Sequence, residues 1–434
     1  MTHAFECLEK YYLLDVETNA IHELDELAYQ TAVCMENGRS FDDLIQKYGE
    51  NAINEVVGEL KSIRSPEITP VLKQYNGVKA LCLHTAHDCD MRCRYCFAAT
   101  GGFHGERTLM PLEVGKAASD FLMRNSTAQT VEVDFFGGEP LMNFETVKQC
   151  VAYGRELEKR YGRDINFTVT TNCLNLDDEK IDFIDREMFN VVLSLDGRPS
   201  VHDALRPDTH GRDTYRRVAD NIKKLLRGRG DKSYYVRGTF TAGNLDFTED
   251  VKHIHKLGIE QISVEPVVLP DASPYAIRKE HLPRIFDEYE RLLQYYLDER
   301  VDGDWFEFFH FFLDLENGPC VSKRLSGCGA GCEYFAVTPN GDVYPCHQFV
   351  GEREFLMGNV SGGVLDEAIR ERFTRNSVLN KPECVKCWCK YFCGGGCAAN
   401  AYHAGGDICK PYSIGCEMQK KRVECALATI AAVK

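Results

Sequence analysis

The residues best suited to chemistry in this sequence are the cysteine triad Cys89-x3-Cys93-x2-Cys96. Thiolates bind zinc and iron, but a structural zinc site takes four protein ligands and this triad supplies three. A four-iron cluster held by three thiolates keeps one iron without a protein ligand. An open coordination position is suited to chemistry, whereas full ligation is suited to electron transfer or structure. The spacing therefore predicts a reactive iron–sulfur site.

The triad opens a segment in which strands and helices alternate, from Val78 to about Val268. Six βα units in succession predict an α/β fold with a parallel sheet, either open or rolled into a partial (β/α)6 barrel. In such barrels the reacting groups lie at the carboxyl ends of the strands. The predicted strands are Val78–Thr85, Val131–Phe136, Ile165–Thr171, Val191–Leu195, Tyr234–Thr241 and Ile262–Val267, and the predicted helices are Leu112–Arg124, Phe144–Tyr161, Asp178–Met188, Thr214–Leu226 and Phe247–Leu257.

Four polar motifs follow predicted strands and should meet at one rim of the sheet. They are the triad, Gly137-Gly138-Glu139-Pro140, Thr171-Asn172 and Ser194-Leu195-Asp196-Gly197. Glycines let a ligand approach the backbone closely, and a carboxylate beside them can pair with an ammonium group. Taken alone, the glycine motif is more often a tight turn, and Asn172 and Asp196 could each simply cap a helix.

Two further units flank this segment, so that the chain divides at about 1–75, 76–315 and 316–434. Residues 1–75 predict a small winged-helix-like unit of two strands and three helices. It could be a packing appendage, or it could offer a strand edge to an extended peptide, and the residues alone leave both open. The strands are Tyr11–Val16 and Ala20–Leu24, and the helices are Glu26–Asn37, Ser40–Tyr48 and Asn51–Ile63.

An amphipathic helix over His281–Arg300 leads into an aromatic run. Within that run, aromatic residues recur with the spacing of one helical face, which predicts a core-facing bridging helix in preference to a substrate cage. These residues are Trp305, Phe308, Phe309 and Phe312.

Composition limits the partners and the compartment. The chain of 434 residues has a formal charge of −15, which argues against nucleic acid as the main partner but allows a short basic peptide. No apolar run is long enough to predict a membrane span, and the N-terminus lacks the layout of a secretory signal. Twenty cysteines then indicate a reducing, cytoplasmic setting in which thiolates bind metal. Twelve of them lie from Cys320 onward, which predicts a metal-rich C-terminal region.

The triad together with Gly138-Glu139 resembles the radical S-adenosylmethionine superfamily. The resemblance implies that Cys89, Cys93 and Cys96 hold a 4Fe–4S cluster whose open iron binds the methionine end of S-adenosylmethionine. Reductive cleavage then yields a 5′-deoxyadenosyl radical, while the protein positions the cofactors and excludes water. The contacts that it implies for S-adenosylmethionine are Gly137, Gly138 and Glu139 at the methionine end, Tyr95 near the adenine, Ser194 and Arg206, and further Asn172, Asp196 and Val267.

The C-terminal region resembles the SPASM extension, which houses two auxiliary 4Fe–4S clusters, giving three clusters in all. The likeness rests on Gly341-x4-Cys346 and on Cys384-x2-Cys387-x5-Cys393-x3-Cys397, followed by Cys416. A zinc ribbon is the alternative for this region. The resemblance implies one cluster on Cys384, Cys387, Cys393 and Cys416, and another on Cys346, Cys397 and an upstream cysteine, best matched by Cys328.

The resemblance leaves two questions about the cluster of Cys346. An added ligand, either Cys332 or Cys320, would close this cluster, and otherwise one iron stays open to substrate. His347 occupies the place where some SPASM enzymes carry an acid that accepts a substrate proton, although a structural histidine is the simpler interpretation.

Two longer stretches, HTAHDCDMRCRYCFAATGGF and GCGAGCEYFAVTPNGDVYPCHQFVG, resemble the maturases of SCIFF peptides, which are six-cysteine precursors. The likeness covers essentially the whole chain. It implies intramolecular thioether formation between a cysteine sulfur and a residue carbon of a ribosomally made peptide. Residues 1–75 would bind the leader of that precursor, and a flavodoxin or ferredoxin would supply electrons. Cys332 departs from the usual pattern, which keeps the first auxiliary cluster open.

Two rival functions remain. Another SPASM reaction, such as oxidation of a sulfatase cysteine to formylglycine, needs the same clusters. A non-enzymatic iron–sulfur electron carrier is the rival from a different class of protein.

Overall fold

A computed structural model describes residues 1–63, 75, 77–313, 315, 325–363 and 365–433. Its largest element is a ten-stranded mixed sheet in the order β10-β9-β8-β7-β6-β5-β4-β11-β12-β13. The strands are β4 (Ala80–Ala86), β5 (Thr130–Gly137), β6 (Asp164–Thr171), β7 (Asn190–Ser194), β8 (Tyr234–Phe240), β9 (Gln261–Pro266), β10 (Glu307–Phe308), β11 (Tyr334–Val337), β12 (Asp342–Tyr344) and β13 (Gly358–Asn359).

Strands β4 to β9 are parallel and lie side by side in chain order. Helices connect them, as the alternating pattern predicts, and the α/β class is confirmed. The helices of this segment are α4 (Leu112–Asn125), α5 (Phe144–Tyr161), α6 (Asp178–Glu187), α7 (Pro199–Leu205), α8 (Tyr215–Arg229) and α9 (Phe247–His255), and α10 (Leu282–Asp302) follows β9.

Burial along the strands explains why they form a sheet here. In β5, Val131, Val133 and Phe135 are buried, whereas the residues between them are more exposed. Period-two alternation of this kind places one face of a strand against the core. Strand β4 differs, because nearly every residue in it is buried, as expected for a central strand covered on both faces. The cysteine triad therefore follows the most enclosed strand of the sheet.

The C-terminal region extends the same sheet. Strand β11 pairs in parallel with β4, with Phe335 opposite Leu81, and β12 and β13 add antiparallel beside it. The remaining helices are α11 (Glu367–Thr374), α12 (Pro382–Val385), α13 (Lys390–Cys393), α14 (Ala398–Gly405) and α15 (Ser413–Val433), of which α15 packs along α10.

A separate three-stranded antiparallel sheet forms the N-terminal part, with β1 (Thr2–Cys7), β2 (Lys10–Asp15) and β3 (Ala20–Leu24). Three helices follow: α1 (Glu26–Asn37), α2 (Asp42–Tyr48) and α3 (Glu50–Ser62). The sequence did not predict β1. This strand contacts α15, and the His3 ring stacks on Trp388 with ring centroids 3.8 Å apart. The N-terminal part is thus packed on the cysteine-rich region.

The predicted bridging helix over Trp305–Phe312 is wrong. This run forms the short strand β10 followed by a 3-10 turn, Phe309–Phe311. The buried rings are Phe306, Phe308 and Phe311, while Trp305, Phe309 and Phe312 of the expected core face are exposed. Strand pairing of β10 with β9 overrides the helical spacing here. The helix predicted just before it does form, as α10.

No helix in the described ranges combines the length and the apolar character needed to cross a membrane.

Removing the ring of Phe335 should destabilise the junction between β4 and β11. Its side chain is 0% exposed, so Phe335→Ala leaves a cavity, and we expect the free energy of unfolding to fall by about 3–5 kcal/mol. Phe189→Ala is the matched control because that ring is 61% exposed and its loss should cost no more than about 0.5 kcal/mol. Urea denaturation of cluster-free protein measures both, and equal losses would contradict the buried junction.

Candidate functional site

The cysteine triad lies on a loop that directly follows β4. The backbone of residues 205–208 fastens this loop: Arg92 N donates to Pro207 O at 2.8 Å and Arg94 N donates to Leu205 O at 2.9 Å. An isolated bridge between Met91 and Asp208 adds to this strap. The loop is therefore held on both sides of Cys93 by main-chain hydrogen bonds, although it has no regular secondary structure.

Gly137 and Gly138 bring the end of β5 against the same loop. A Cβ on Gly138 would lie 2.1 Å from Asp88 O, and a Cβ on Gly137 would lie 2.3 Å from Ala86 O. Gly137 also has a φ of +125°, which residues with a side chain rarely adopt. The sequence predicts that these glycines admit a ligand to the backbone; in the structure they admit the backbone of the cysteine loop.

Glu139 is buried next to that contact. Its Oε1 accepts from Thr171 Oγ1 at 2.9 Å and from Leu141 N at 3.1 Å, and its Oε2 accepts from Asn172 N at 2.8 Å. Burial raises the pKa of the Glu139 carboxyl to about 8, with a further contribution from the negative charge of Asp90, although the hydrogen bonds act in the opposite direction. The Glu139 carboxyl is therefore mainly protonated at neutral pH, and a nearby positive charge would favour its ionised form.

Asn172 links the end of β6 to the triad. Its Nδ2 donates to Asp90 Oδ1 at 2.6 Å and lies 3.6 Å from Cys89 Sγ, while its Oδ1 accepts from Leu174 N at 2.9 Å. The last contact is a local turn, so the helix-cap alternative for Asn172 is wrong. Asp90 was missed as a site residue, although its position inside the triad motif was a usable signal.

Tyr95, Asp196 and Arg206 form a hydrogen-bonded group beside Cys93. Tyr95 Oη donates to Asp196 Oδ2 at 2.7 Å, and Arg206 Nη1 donates to Tyr95 Oη at 2.7 Å. Asp196 Oδ1 also accepts from Thr239 N at 3.1 Å, so Asp196 serves this group and does not cap a helix. Burial raises the pKa of the Cys93 thiol to about 11, against the opposing positive charge of Arg206.

Arg206 has spare hydrogen-bonding capacity that points to a ligand. Its side chain is largely buried, and its Nε has no hydrogen-bond partner in the described part of the chain. Buried donors are nearly always satisfied. An orphaned guanidinium N–H beside Tyr95 and Cys93 therefore fits a site for a polar cofactor.

The remaining predicted cofactor contacts lie on the same edge. Ser194 ends β7, and its backbone N–H donates to the buried Cys173 thiol. Val267 follows β9, is buried, and donates its N–H to Phe240 O at 2.9 Å.

Three C-terminal cysteines form a second thiol group: Cys328, Cys346 and Cys397. Burial raises the pKa of Cys346, and the neighbouring charges of Cys397 and Cys328 raise it further. Burial and the neighbouring charge of Cys328 raise the pKa of Cys397 in the same way. Thiols that repel one another as thiolates are typical of a site that a metal cluster would neutralise.

Four more cysteines converge as a third thiol group. Burial raises the pKa of Cys416 to about 12, and Cys393, Cys384 and Cys387 each add to the shift. The other three cysteines of the predicted set therefore lie within electrostatic reach of Cys416.

Cys332, one of the two proposed extra ligands, is buried in the same apolar cluster as Cys346. It is 2% exposed and its Sγ lies 3.4 Å from Thr374 Oγ1. Burial raises the pKa of Cys332, and the negative charge of Cys328 contributes to this rise. Cys320, the other proposed extra ligand, lies outside the described residues.

One cavity is lined by Cys96 of the triad and by residues that follow Cys346 and Cys397 in the chain. It has a volume of about 790 Å³, and its wall includes Cys96 and Phe97 on one side and His347 and Asn400 on the other. His347 directly follows Cys346, and its ring packs on Phe136 with centroids 4.8 Å apart. Burial lowers the pKa of His347 to about 4, with a further contribution from the positive charge of Arg237. This histidine is therefore neutral at neutral pH, and its lowered pKa makes it a weak base.

Comparison with known proteins agrees with this arrangement. The Radical SAM superfamily model matches residues 83–257, and the SPASM iron-sulfur cluster-binding domain model matches residues 328–389. The second match ends before three of the grouped cysteines, so Cys393, Cys397 and Cys416 are placed by the structure alone. A radical SAM domain uses a 4Fe–4S cluster with S-adenosylmethionine, and SPASM domains add further clusters.

Similar proteins fall into two sets. A cysteine-type anaerobic sulfatase-maturating enzyme of Clostridium novyi is 24% identical over 72% of this chain and 86% of its own length. The radical SAM cyclopropyl synthase TigE of Paramaledivibacter caminithermalis is 20% identical over 92% of this chain and 88% of its own length.

Among solved structures, anSMEcpe with bound AdoMet has a TM-score of 0.69 at 19% identity, covering 82% of this chain and 95% of that one. SuiB of Streptococcus suis has a TM-score of 0.56 at 18% identity, covering 93% and 96%. These likenesses establish the fold. The chain therefore combines a radical SAM domain with a SPASM iron–sulfur cluster-binding domain.

Proposed function

We propose that this protein is a radical SAM maturase that forms intramolecular thioether cross-links in a ribosomally synthesised precursor peptide. The observation that carries the proposal is the shared cavity, which has Cys96 of the triad in one wall and the neighbours of Cys346 and Cys397 in the other. A cross-link between carbon and sulfur needs a hydrogen-abstracting centre and a sulfur-holding centre within reach of one peptide. This cavity offers both.

Cys89, Cys93 and Cys96 would hold the cluster that binds S-adenosylmethionine. Glu139 provides a buried carboxylate for the ammonium of the methionine moiety, and Arg206 provides the unpaired Nε donor beside Tyr95. The bound cofactors supply the radical that removes a substrate hydrogen atom and the acceptor for one electron. The protein orients the peptide, excludes water and accepts the proton that the cysteine thiol releases.

The second thiol group would leave a place for substrate sulfur. Cys328, Cys346 and Cys397 supply three thiols, while Cys332 is buried against Thr374. A substrate cysteine could then serve as the fourth ligand, which would lower its pKa and place its sulfur beside the carbon to be attacked. Each bridge balances as one hydrogen atom, one proton and one electron removed; His347 lines the cavity and could relay that proton towards solvent.

The N-terminal part supports a peptide substrate. Strand β3 is an edge of the three-stranded sheet, and an exposed edge can bind an extended segment by strand addition. A solved structure of SuiB bound to the precursor peptide SuiA is similar to this protein over 93% of the chain, with a TM-score of 0.56. We propose that β3 binds the leader of the precursor, and that a flavodoxin or ferredoxin delivers the reducing electron.

Sulfatase maturation is the second candidate, because several relatives carry that name. A serine-type anaerobic sulfatase-maturating enzyme of Bacteroides thetaiotaomicron matches 75% of this chain, whereas TigE matches 92%. TigE therefore matches more of the chain than the sulfatase-maturating enzyme does. The electron-carrier alternative accounts for neither the Radical SAM match nor the cavity.

Thioether formation can be tested by mass spectrometry of a six-cysteine precursor treated anaerobically with the reconstituted enzyme. We expect two hydrogens fewer and one alkylatable thiol fewer for each bridge. Thiol counting is needed because a carbon–carbon bond also removes two hydrogens but leaves every cysteine open to alkylation. The matched control replaces by alanine the precursor cysteine whose sulfur forms the bridge, and this change should remove one bridge. A product that retains all its thiols would refute the assignment, and formylglycine would establish the second candidate.

Glu139 gives a pH prediction for binding of S-adenosylmethionine. With a carboxyl pKa of about 8, the free site is mainly protonated at lower pH and must lose a proton to pair with an ammonium. Affinity should therefore fall as pH decreases from 8 to 6.5, approaching tenfold per pH unit. Glu139→Gln should bind about 10- to 100-fold more weakly at pH 8 and lose most of this dependence.

Equilibrium dialysis with reconstituted protein, without reductant, measures this affinity. Glu145→Gln is the control, because Glu145 is an exposed residue of α5 paired with Lys148, and its affinity and pH profile should match those of the unmodified protein. A Glu139→Gln profile as steep as the unmodified one would show that another group governs the titration.

A further inference from the structure

Lys381 is the most deeply buried cation of the cysteine-rich region. Its side chain is 1% exposed, and its Nζ donates to Gly395 O at 2.7 Å. Gly395 is the middle residue of a three-glycine turn, each with positive φ, that joins Cys393 to Cys397. A Cβ on Gly395 would lie 3.3 Å from this Nζ. The ammonium therefore lies under the short connection between the third and second thiol groups.

The local helix brings the same lysine to the other side of the third group. Lys381 precedes α12, and its carbonyl accepts from Cys384 N at 2.9 Å and from Val385 N at 3.0 Å. Lys381 and Cys384 are thus neighbours through the backbone.

Within the described ranges, no carboxylate pairs with the Lys381 ammonium. No ion pair joins it to an acid among the residues that the structure describes, and its one hydrogen-bond acceptor is a neutral carbonyl. A buried charge without a counter-charge carries a large free-energy penalty. Lys381 instead contacts the backbone of both thiol groups: its carbonyl accepts from Cys384 N, and Gly395, which accepts from its Nζ, is two residues from Cys393 and from Cys397.

We propose that Lys381 is a positioning residue shared by two iron–sulfur centres, whose buried ammonium balances the negative charge of the clusters bound by the second and third thiol groups and raises their reduction potentials. Reduction adds negative charge, which a nearby buried cation stabilises, and local charge is one of the factors that set cluster potentials. The inference rests on the proposed function only in requiring that both thiol groups bind clusters.

The same cation also favours the electron balance of cross-linking. Each carbon–sulfur bond leaves one electron to be accepted, and raised potentials make the two C-terminal centres better acceptors. Because Lys381 lies under the turn between Cys393 and Cys397, it acts on both centres together.

The test is a redox titration, followed by electron paramagnetic resonance, of reconstituted protein whose triad cysteines are replaced by alanine, so that only the C-terminal clusters contribute. Lys381→Met keeps the length of the side chain and removes the charge. We expect about a tenfold lower ratio of reduced to oxidised cluster at a fixed potential, equivalent to 59 mV for a one-electron couple. Lys381→Arg keeps the charge and should recover most of this shift.

Lys420→Met is the matched control. Lys420 lies near Cys416, but it is one-third exposed and its Nζ is 2.7 Å from Glu417 Oε1, so its charge is already balanced and screened. Removing the Lys420 charge should change the logarithm of the reduced-to-oxidised cluster ratio by less than half of the change expected for Lys381→Met. Unchanged potentials in Lys381→Met, a shift in Lys420→Met as large, or no recovery in Lys381→Arg would overturn the proposal.

Measuring the iron content of each variant distinguishes a loss of cluster assembly from a proposal that is wrong. If Lys381→Met loses the C-terminal iron in the presence of an intact triad cluster, and Lys381→Arg retains it, charge balance is required for assembly and the proposal stands. If Arg and Met variants lose iron equally, the charge is not the cause and the proposal fails. Unmodified protein that binds clusters at both groups yet makes no thioether would refute the proposed function without affecting these measurements.

Discussion

The site depends on one close backbone contact, where the end of β5 meets the loop after β4. Gly138 N donates to Ala86 O and Glu139 N donates to Asp88 O, each at 2.8 Å. No side chain fits at Gly138, because its Cβ position is occupied by Asp88 O. This contact holds the residue before Cys89 and sets Glu139 against Thr171 and Asn172 on β6. Three strand ends are thereby joined around the first cysteine, and a glycine is the structural requirement.

Charge balance is the second constraint, and the same solution is used twice. The buried thiols and carboxylates of the site have raised pKa values because the protein interior disfavours their charged forms. Each cysteine-rich centre accordingly has a buried cation close by: Arg206 acts on Cys93, and Lys381 acts on Cys384 and Cys397. An interior that holds several thiolates needs such cations as well as the metal itself.

The sequence predicted the parts whose signal is local. The six parallel strands and their helices follow from alternating periodicity, and most of their observed ends lie within one to three residues of the predicted ones. Strand β1 was missed because its hairpin turns at Leu8 and Glu9, which have positive φ without being glycine or asparagine, so the usual turn signal is absent. The aromatic run failed because strand pairing, which is a long-range property, overrode its helical spacing.

Site prediction followed the same division. Thiol groupings came from spacing and family resemblance, and the three sets are indeed brought together. The sequence could not predict which side chains and backbone atoms surround a particular residue. Thr374, which lies beside the Cys332 thiol, is 42 residues further along the chain. Likewise, the neutral partner of Lys381 becomes visible only when the turn after Cys393 folds back over α12.

The sheet itself explains how the triad loop and the segment after Cys346 come to line one cavity. Strand β4 leads into the triad, and β11 pairs directly with β4 before the chain returns through β12 to Cys346. The triad and Cys346 therefore follow β4 and β12, two strands of one hydrogen-bonded sheet that only β11 separates. Phe136 of β5 then packs on the ring of His347 across the gap. Because strand register fixes how β4, β11 and β12 align, it also sets the spacing between the triad loop and Cys346, and under the proposed function a substrate must match that spacing.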